Sequence, residues 1–133
     1  MESKTRVAGI LIKDGKLLMV KGRKCPELWT PGGTLESGET DEQCLRRELK
    51  EEISVELKDM KFFKEYTGKS FYVPNKVVTQ HIYIISVKGA PKPDSEIDEL
   101  IWLSREEFKI KKYPMIPITE EEIIPDLIKK RIF

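Results

Sequence analysis

Three glutamates, Glu48, Glu51 and Glu52, are spaced i, i+3 and i+4 in a segment with a helical pattern. Residues at these spacings share one face of a helix, so their carboxylates would lie close together. Like charges in such proximity repel unless a cation lies between them, and a hard divalent metal prefers carboxylate oxygens. A Pro-Gly-Gly turn at 31–33 precedes the segment. A hard metal beside a glycine-rich turn indicates phosphate chemistry.

The helix that carries these acids has clear boundaries and a clear buried edge. Its apolar stripe, at i, i+4 and i+8, consists of Leu45, Leu49 and Ile53. Thr40 and Gln43 have the spacing of a capping box, in which each side chain bonds the backbone of the other residue. The pattern therefore predicts a helix that begins near Asp41 and runs to about Glu52, with its acids beside the edge that packs on the core.

A simpler interpretation of the same segment is a solvated surface helix held by salt bridges. Glutamate-rich helices with Lys or Arg partners are common, and 35% of this chain is charged. This interpretation leaves three features unexplained: the acids next to the apolar stripe, the turn at 31–33, and Glu39 placed just before the helix cap.

The segment 33–55 resembles the Nudix box, G-x5-E-x7-R-E-U-x-E-E-x-G-U, in which U is a bulky aliphatic residue. The matching positions are Gly33, Glu39, Arg47, Glu48, Leu49, Glu51, Glu52 and Val55. Chance agreement at the six Gly, Arg and Glu positions is on the order of one in ten million at average residue usage. The departure is Ser54, which occupies the position of the second glycine. We expect a left-handed residue there, where serine costs ~1 kcal/mol and alters the helix exit rather than the metal ligands.

The resemblance implies a fold, an activity and a cofactor. The expected fold is α+β, a mixed β-sheet sandwiched between helices, with residues 1–133 forming a single Nudix hydrolase domain. The expected metal ligands are Glu48, Glu51, Glu52 and a backbone carbonyl near Gly32, which would hold Mg²⁺, or Mn²⁺ as a substitute, on a diphosphate. Arg47 is expected to orient the acids by pairing with Glu39 or Glu51.

The general base is left open between two acids. Glu52 would deprotonate the attacking water directly. Glu96 lies six residues before Trp102, where MutT-type members of the family carry an acid, but it is equally well read as an exposed loop residue.

Substrate contacts are predicted outside the acidic segment as well. Arg23 and Lys24 lie just upstream of the turn and would either meet a phosphate or remain solvated. Gly32 and Gly33 would let the backbone approach metal and phosphates closely. Tyr72 lies seventeen residues after Val55, near the offset at which dinucleoside polyphosphate hydrolases of the family carry a tyrosine.

Three functions follow from this pattern. The first is metal-dependent hydrolysis of a pyrophosphate bond in a nucleoside di- or triphosphate, with oxidised nucleotides as one class of substrate. The second is hydrolysis of ADP-ribose, a nucleotide sugar or a dinucleoside polyphosphate. The third is a non-catalytic nucleotide-binding module, which the retention of Glu48, Glu51 and Glu52 disfavours and Ser54 favours. The box does not identify the base of the substrate. We expect residues in the loops at 22–30, 66–80 and 108–118 to contact the base.

In the rest of the chain, the pattern predicts strands and short helices. The strands are predicted at 6–12, 16–21, 55–66, 71–73, 77–87 and 100–103, with hairpin turns at 14–15 and 74–76. Two further capping boxes, Ser104 with Glu107 and Thr119 with Glu122, predict a short helix to Phe108 and a terminal helix.

Composition limits the partners of the chain. Its 133 residues contain 24 basic and 23 acidic side chains, which argues against binding to a nucleic acid polymer or a membrane surface by bulk charge. The sequence shows neither an apolar run of about 18 residues nor a signal-peptide pattern. Two cysteines, Cys25 and Cys44, are too few for a disulfide scaffold. We therefore expect a cytoplasmic protein, monomeric or homodimeric, that acts on small nucleotides.

Overall fold

The computed structural model describes residues 2–133, which form strands and short helices. The strands are β1 (Glu2–Ile10), β2 (Ile12–Lys13), β3 (Lys16–Gly22), β4 (Gly32–Thr34), β5 (Glu56–Lys69), β6 (Lys76–Lys88) and β7 (Ile97–Leu103). The helices are α1 (Asp41–Ile53), α2 (Arg105–Lys109) and α3 (Ile124–Lys129), and a π-helical turn at Thr119–Ile123 leads directly into α3. The predicted α+β class is confirmed.

The strands form two sheets. The larger has the order β4-β1-β6-β5, in which β1 and β6 are parallel and the other pairs antiparallel, so it is mixed as predicted. The smaller, antiparallel sheet has the order β2-β3-β7. Strand β4 brings the Pro-Gly-Gly turn against β1, where Ala8 pairs with Gly32 and the Gly9 amide donates to the Pro31 carbonyl at 2.8 Å.

Two apolar cores lie on opposite faces of the strands. Successive residues of β1 and β3 alternate between them: Val7 and Leu18 belong to one core, and Ala8 and Leu17 to the other. Helix α1 covers the first core with Cys44, Leu45, Leu49 and Ile53. The π-helical turn and α3 cover the second with Ile123, Ile124 and Leu127. The strands are thus enclosed between helices, as the resemblance implied.

Two predicted elements are wrong. The predicted strand at 71–73 is instead part of the connection between β5 and β6, because β5 continues to Lys69 and pairs there with Val77. The predicted Thr119–Glu122 capping box is also absent: the residue before the π-helical turn is Ile118, and no side chain caps it. Thr119 is buried, which leaves its side chain among neighbouring residues rather than at a solvated helix start.

A hydrogen bond joins β5 to α3, and its removal is expected to destabilise the fold. The buried Tyr66 donates its hydroxyl proton to Asp126 Oδ2 at 2.7 Å. Tyr66→Phe keeps the ring and loses this bond to a charged acceptor, so the free energy of unfolding should fall by about 1.5 kcal/mol in urea titrations. Lys64→Gln, which removes the exposed ion pair to the same carboxylate, should change it by less than about 0.5 kcal/mol. Equal losses in the two variants would contradict this.

None of the helices among residues 2–133 combines the length and the apolar character needed to cross a bilayer.

Candidate active site

Helix α1 places the three predicted metal ligands at the wall of one cavity. The cavity has a volume of about 290 Å³ and is lined by Trp29, Glu48, Glu51, Glu52, Ser95, Glu96 and Ile97. The side chain of Glu48 is 15% exposed and that of Glu51 is 54% exposed. The loop before β7 therefore brings Glu96, the second candidate base, to the same cavity as the acids of the helix.

The acids fit a hard divalent cation by ligand type but do not yet converge on one. Within residues 2–133, no three His, Cys, Asp or Glu side chains lie close enough together to hold a metal ion as they stand. Glu48 instead accepts from Arg47 at 2.7 Å, and Glu52 accepts from the Gly32 amide at 2.8 Å. Four carboxylates around one cavity are nevertheless the oxygen donors that Mg²⁺ and Mn²⁺ prefer.

Glu52 is half-buried at the wall of the cavity. Burial raises the pKa of its carboxyl to about 7, against the opposing effects of the nearby Arg6 and of hydrogen bonds from the Gly32 amide and the Trp29 side chain. Oε1 accepts the bond from the Gly32 amide.

The raised pKa predicts a pH-dependent stability of the metal-free protein. Because the folded state holds the Glu52 proton up to about pH 7 and the unfolded chain releases it near 4.5, the free energy of unfolding should fall as the pH rises between these values. The loss should reach at most about 3 kcal/mol. Urea titrations with a chelator at pH 5 and pH 8 measure it. Glu52→Gln should remove most of the difference, and an unchanged difference in that variant would refute the assignment.

Both glycines of the turn lie in close contact with other groups, Gly32 with the backbone of β1 and Gly33 with a side chain of α1. Gly32 has φ +151°, and a Cβ there would meet the Val7 carbonyl and lie 2.6 Å from Ala8 Cα. A Cβ on Gly33 would overlap the carboxyl group of Glu48. The turn therefore makes room for β1 on one side and for a predicted metal ligand on the other, in addition to the predicted approach to substrate.

Arg47 binds several of the acids at once. Its Nε and Nη2 donate to the two carboxylate oxygens of Glu39 at 2.7 and 3.0 Å, and its Nη1 donates to Glu48 at 2.7 Å. Glu51 lies 3.6 Å from the same nitrogen. The hydrogen bonds from Arg47 lower the pKa of Glu39 to about 2. Of the two partners predicted for Arg47, Glu39 is the closer.

Ser54 adopts the left-handed conformation expected of the residue that replaces the second glycine. Its φ and ψ are 56° and 40°, and its amide donates to the Lys50 carbonyl at 3.2 Å. The side chain makes a contact that glycine cannot: Oγ donates to Asp94 Oδ2 at 2.9 Å. The Asp94 amide in turn donates to the Glu52 carbonyl at 3.0 Å. Ser54 therefore links the helix exit to the loop that carries Glu96.

The predicted basic residues line a second cavity next to the acidic one. Its volume is about 280 Å³, and Arg23, Lys24, Trp29 and Glu96 are among its lining residues. The Arg23 amide donates to the Glu96 carbonyl at 3.2 Å, which joins the loop after β3 to the loop before β7. Trp29 and Glu96 border both cavities.

Trp29 also lines a third cavity of about 230 Å³, whose wall is largely apolar but includes the basic residues Lys4, Arg6 and Lys69. Phe71, Tyr72, Ile116 and Ile118 contribute to its wall. Tyr72, a predicted substrate contact, is otherwise exposed. Its hydroxyl donates to the Glu27 carboxylate at 3.0 Å and so joins the β5–β6 connection to the loop after β3. The wall thus includes residues from all three loops that were expected to read the base.

Residues 3–127 match the family described as the NUDIX domain. The chain belongs to the Nudix family. The predictions of a MutT-like Nudix hydrolase and of its fold are therefore confirmed at the level of the family.

Three relatives of this Nudix protein differ in the substrate they are named for. An 8-oxo-dGTP diphosphatase of Buchnera aphidicola is 30% identical over 96% of this chain and 95% of its own length. An ADP-ribose pyrophosphatase of Methanocaldococcus jannaschii is 30% identical over 92% of this chain and 72% of its own. An 8-oxo-dGTP diphosphatase of Haemophilus influenzae is 27% identical over 63% of this chain, and the match spans only 60% of that relative.

The fold also matches solved structures. The solution structure of the E. coli ORF135 protein superimposes with a TM-score of 0.77 at 25% identity, covering 98% of this chain and 94% of that protein. The likeness includes the mixed sheet and its flanking helices.

Arg6 and Gln80, which line the third cavity, were not identified from the sequence. Arg6 of β1 donates to the carbonyl oxygen of Thr30 and to Gln80 Oε1, the latter at 3.1 Å. Burial lowers the pKa of Arg6, and Glu52 and Glu48 act in the opposite direction. In the sequence, Arg6 is only an arginine at the start of an apolar strand, and Gln80 is only a glutamine within another strand. Neither indicates that the two side chains meet, since they lie 74 residues apart.

Replacing the arginine of the Nudix box with lysine is expected to lower activity. Arg47→Lys keeps the positive charge but loses the planar guanidinium, whose separate nitrogens bind Glu39 and Glu48 at once. We therefore expect kcat/KM to fall by about tenfold or more. Arg46→Lys should leave kcat/KM unchanged, because Arg46 binds Glu42 and the Leu57 carbonyl and none of the acids at the cavity. Steady-state hydrolysis by the two variants checks this, and equal rates would show that the guanidinium does not position the acids.

Proposed function

We propose that this Nudix hydrolase cleaves a pyrophosphate bond in nucleoside di- or triphosphates, including oxidised nucleotides, in a metal-dependent reaction. The observation that carries the proposal is the arrangement of cavities around Trp29. Trp29 lines all three cavities: one walled by Glu48, Glu51, Glu52 and Glu96, one that includes Arg23 and Lys24, and one that includes Phe71 and Tyr72. A molecule that joins a metal-bound phosphate chain to a planar base fits these neighbouring surfaces.

The acids of α1 are the proposed metal ligands. Nudix hydrolases generally use divalent metal ions, and Glu48, Glu51 and Glu52, with the carbonyl of Gly32, supply hard oxygen donors for Mg²⁺ or Mn²⁺. When bound, the metal would neutralise charge on the phosphate oxygens and lower the pKa of the attacking water. Arg47 holds Glu48 through its hydrogen bond and thereby limits the positions open to that ligand.

In the proposed reaction, water attacks one phosphorus of the pyrophosphate link. One P–O bond forms and the bond from that phosphorus to the bridging oxygen breaks. The departing group, which carries the phosphorus that is not attacked, keeps the bridging oxygen. The carboxylate of Glu52 accepts the proton of the water, with Glu96 as the alternative acceptor at the same cavity. Arg23 and Lys24 balance the charge of the phosphate chain from the adjoining cavity.

The relatives support two substrate classes. Two of the three are named 8-oxo-dGTP diphosphatases, in line with a nucleoside triphosphate. ADP-ribose is the second candidate, because the ADP-ribose pyrophosphatase of M. jannaschii matches 92% of this chain. A non-catalytic module is disfavoured, since Glu48, Glu51 and Glu52 are all retained at one cavity.

A substrate panel tests the proposal. The chain is incubated with nucleoside triphosphates, 8-oxo-dGTP, nucleoside diphosphates, ADP-ribose, a nucleotide sugar and a dinucleoside polyphosphate, with Mg²⁺, with Mn²⁺ and with a chelator. Products are identified as phosphate, pyrophosphate or a nucleoside monophosphate, and ¹⁸O-labelled water shows which phosphorus is attacked. We expect metal-dependent release of a nucleoside monophosphate. Tight nucleotide binding without turnover of any substrate would instead indicate the binding module.

We further propose that residues 1–133 act as one Nudix hydrolase domain. The match to residues 3–127 and the enclosure of both sheets between α1 and α3 support this organisation. Both a monomer and a homodimer are compatible with it, and analytical ultracentrifugation distinguishes them.

A further inference from the structure

The apolar cavity contains a glutamine amide whose orientation is fixed. Gln80 of β6 is 6% exposed, and its Oε1 accepts from Arg6 Nη1 at 3.1 Å. A guanidinium only donates hydrogen bonds, so the amide oxygen of Gln80 must face Arg6 and the amide nitrogen must point elsewhere. Arg6 is itself held by the carbonyl and the hydroxyl of Thr30. The usual freedom of a glutamine to exchange its oxygen and nitrogen is therefore lost here.

The amide nitrogen of Gln80 is left to face the cavity. Among residues 2–133, no acceptor binds this nitrogen. Every fully buried side-chain nitrogen or oxygen in this part of the chain does have a hydrogen-bond partner. The nitrogen must therefore keep some accessible surface, and the accessible space that Gln80 borders is the 230 Å³ cavity. An almost buried N–H group with an open hydrogen-bonding position is a recognition element for an acceptor on a ligand.

Basic side chains give this cavity a donor character, since Lys4, Arg6 and Lys69 line it. Thr119, a residue only 2% exposed, also lines it, and its hydroxyl can donate or accept. Burial, with the neighbouring charges of Lys76 and Arg6, lowers the pKa of Lys4, but the amine remains a donor. No Asp or Glu lines the cavity within residues 2–133. A base that presents a donor to Gln80 would find no carboxylate there to accept it.

We propose that Gln80, oriented by Arg6, is a specificity-determining residue that favours bases with an exocyclic carbonyl over bases with an amino group at the same position. The carbonyl oxygen accepts a hydrogen bond from the Gln80 N–H group. An amino group at the same position would place a second donor opposite that N–H group, with no acceptor between them. Sites built to make such a bond discriminate strongly, because the mismatched ligand leaves buried polar groups unpaired. The inference rests on the proposed function, in that the apolar cavity is taken to hold the base.

Two pairs of substrates of equal size test the inference. UTP and CTP differ in a carbonyl or an amino group on the pyrimidine, and ITP and ATP differ in the same way on the purine. Wild type should prefer UTP and ITP in kcat/KM by about tenfold in each pair. Gln80→Glu keeps the size of the side chain and its bond to Arg6, but the atom facing the cavity becomes a carboxylate oxygen that accepts hydrogen bonds. The preference for UTP over CTP and for ITP over ATP should therefore reverse. Gln80→Met, which has neither group, should bring both ratios close to one.

Binding of monophosphates separates this inference from the proposed function. UMP, CMP, IMP and AMP contain no pyrophosphate bond. Their binding is followed by tryptophan fluorescence in a Trp102→Phe background, which leaves the signal to Trp29 at the cavity. If no triphosphate is hydrolysed but the binding ratios reverse in Gln80→Glu, the proposed function fails and the inference stands. Ratios that are the same in wild type, Gln80→Glu and Gln80→Met, with all three proteins folded by circular dichroism, overturn the inference.

Discussion

Glu52→Gln is expected to lower kcat by about 10³-fold or more while the protein remains folded. Glu52 is both a proposed metal ligand and the proposed acceptor of the proton from water. Glutamine removes the negative charge and the basic oxygen together. It nevertheless keeps an oxygen that can accept the 2.8 Å hydrogen bond from the Gly32 amide, so the contact between α1 and the turn should survive.

The comparison with Glu96→Gln identifies the general base. Steady-state rates with Mg²⁺ are measured for the two variants and for Glu42→Gln, whose carboxylate lies on the outer face of α1 and binds Arg46. If Glu52 is the base, Glu96→Gln should lose about tenfold or less, and Glu42→Gln should be unaffected. A Glu52→Gln variant that retained most of its metal-dependent activity would remove Glu52 from the mechanism.

Gly33→Ala is expected to weaken metal binding by about 10- to 100-fold, with a parallel loss of kcat/KM. The added methyl group would overlap the carboxyl group of Glu48 and displace it. Because Gly33 does not have a positive φ, alanine should cause little backbone strain, and the effect should come from the side-chain overlap. Isothermal titration with Mn²⁺ measures the affinity directly.

A double variant checks the cause of this loss. Glu48→Asp shortens the side chain by one methylene and leaves space for the methyl group of Ala. Combined with Gly33→Ala, it should lose less metal affinity than the sum of the two single changes in free energy, because the substitutions relieve a shared contact. Strict additivity would show that Gly33 acts through something other than Glu48.

The parts of the site that were predictable from the sequence depend on local spacing. Thr40 and Gln43 form the predicted capping box, and α1 begins and ends within one residue of the predicted bounds. Arg47 binds Glu39, one of the two partners that the resemblance implied, and the other, Glu51, lies one helical turn after it. Short-range backbone and helix-face geometry fixes these contacts before the rest of the chain is considered.

The parts that were missed depend on contacts between distant segments. The extension of β5 to Lys69 is maintained by pairing with β6, which outweighs the turn-forming residues at 67–70. The pairing of Arg6 with Gln80 exists because β1 and β6 are parallel neighbours in register, and no local pattern encodes that register. The proposed base-binding cavity could not be predicted for the same reason, since its lining residues come from β1, β5, β6, the π-helical turn and the loops between them.

The contacts of Ser54 have a consequence for the local unfolding of the protein. The last turn of α1 is held by the Lys92 and Asp94 amides and by the Ser54 hydroxyl, all of which bind across the same junction. Groups joined in this way lose their hydrogen bonds together, as one cooperative unit. The segment that presents Glu96 and the end of the helix that presents Glu52 should therefore open and close on a common timescale, so that neither acid is withdrawn from the cavity alone.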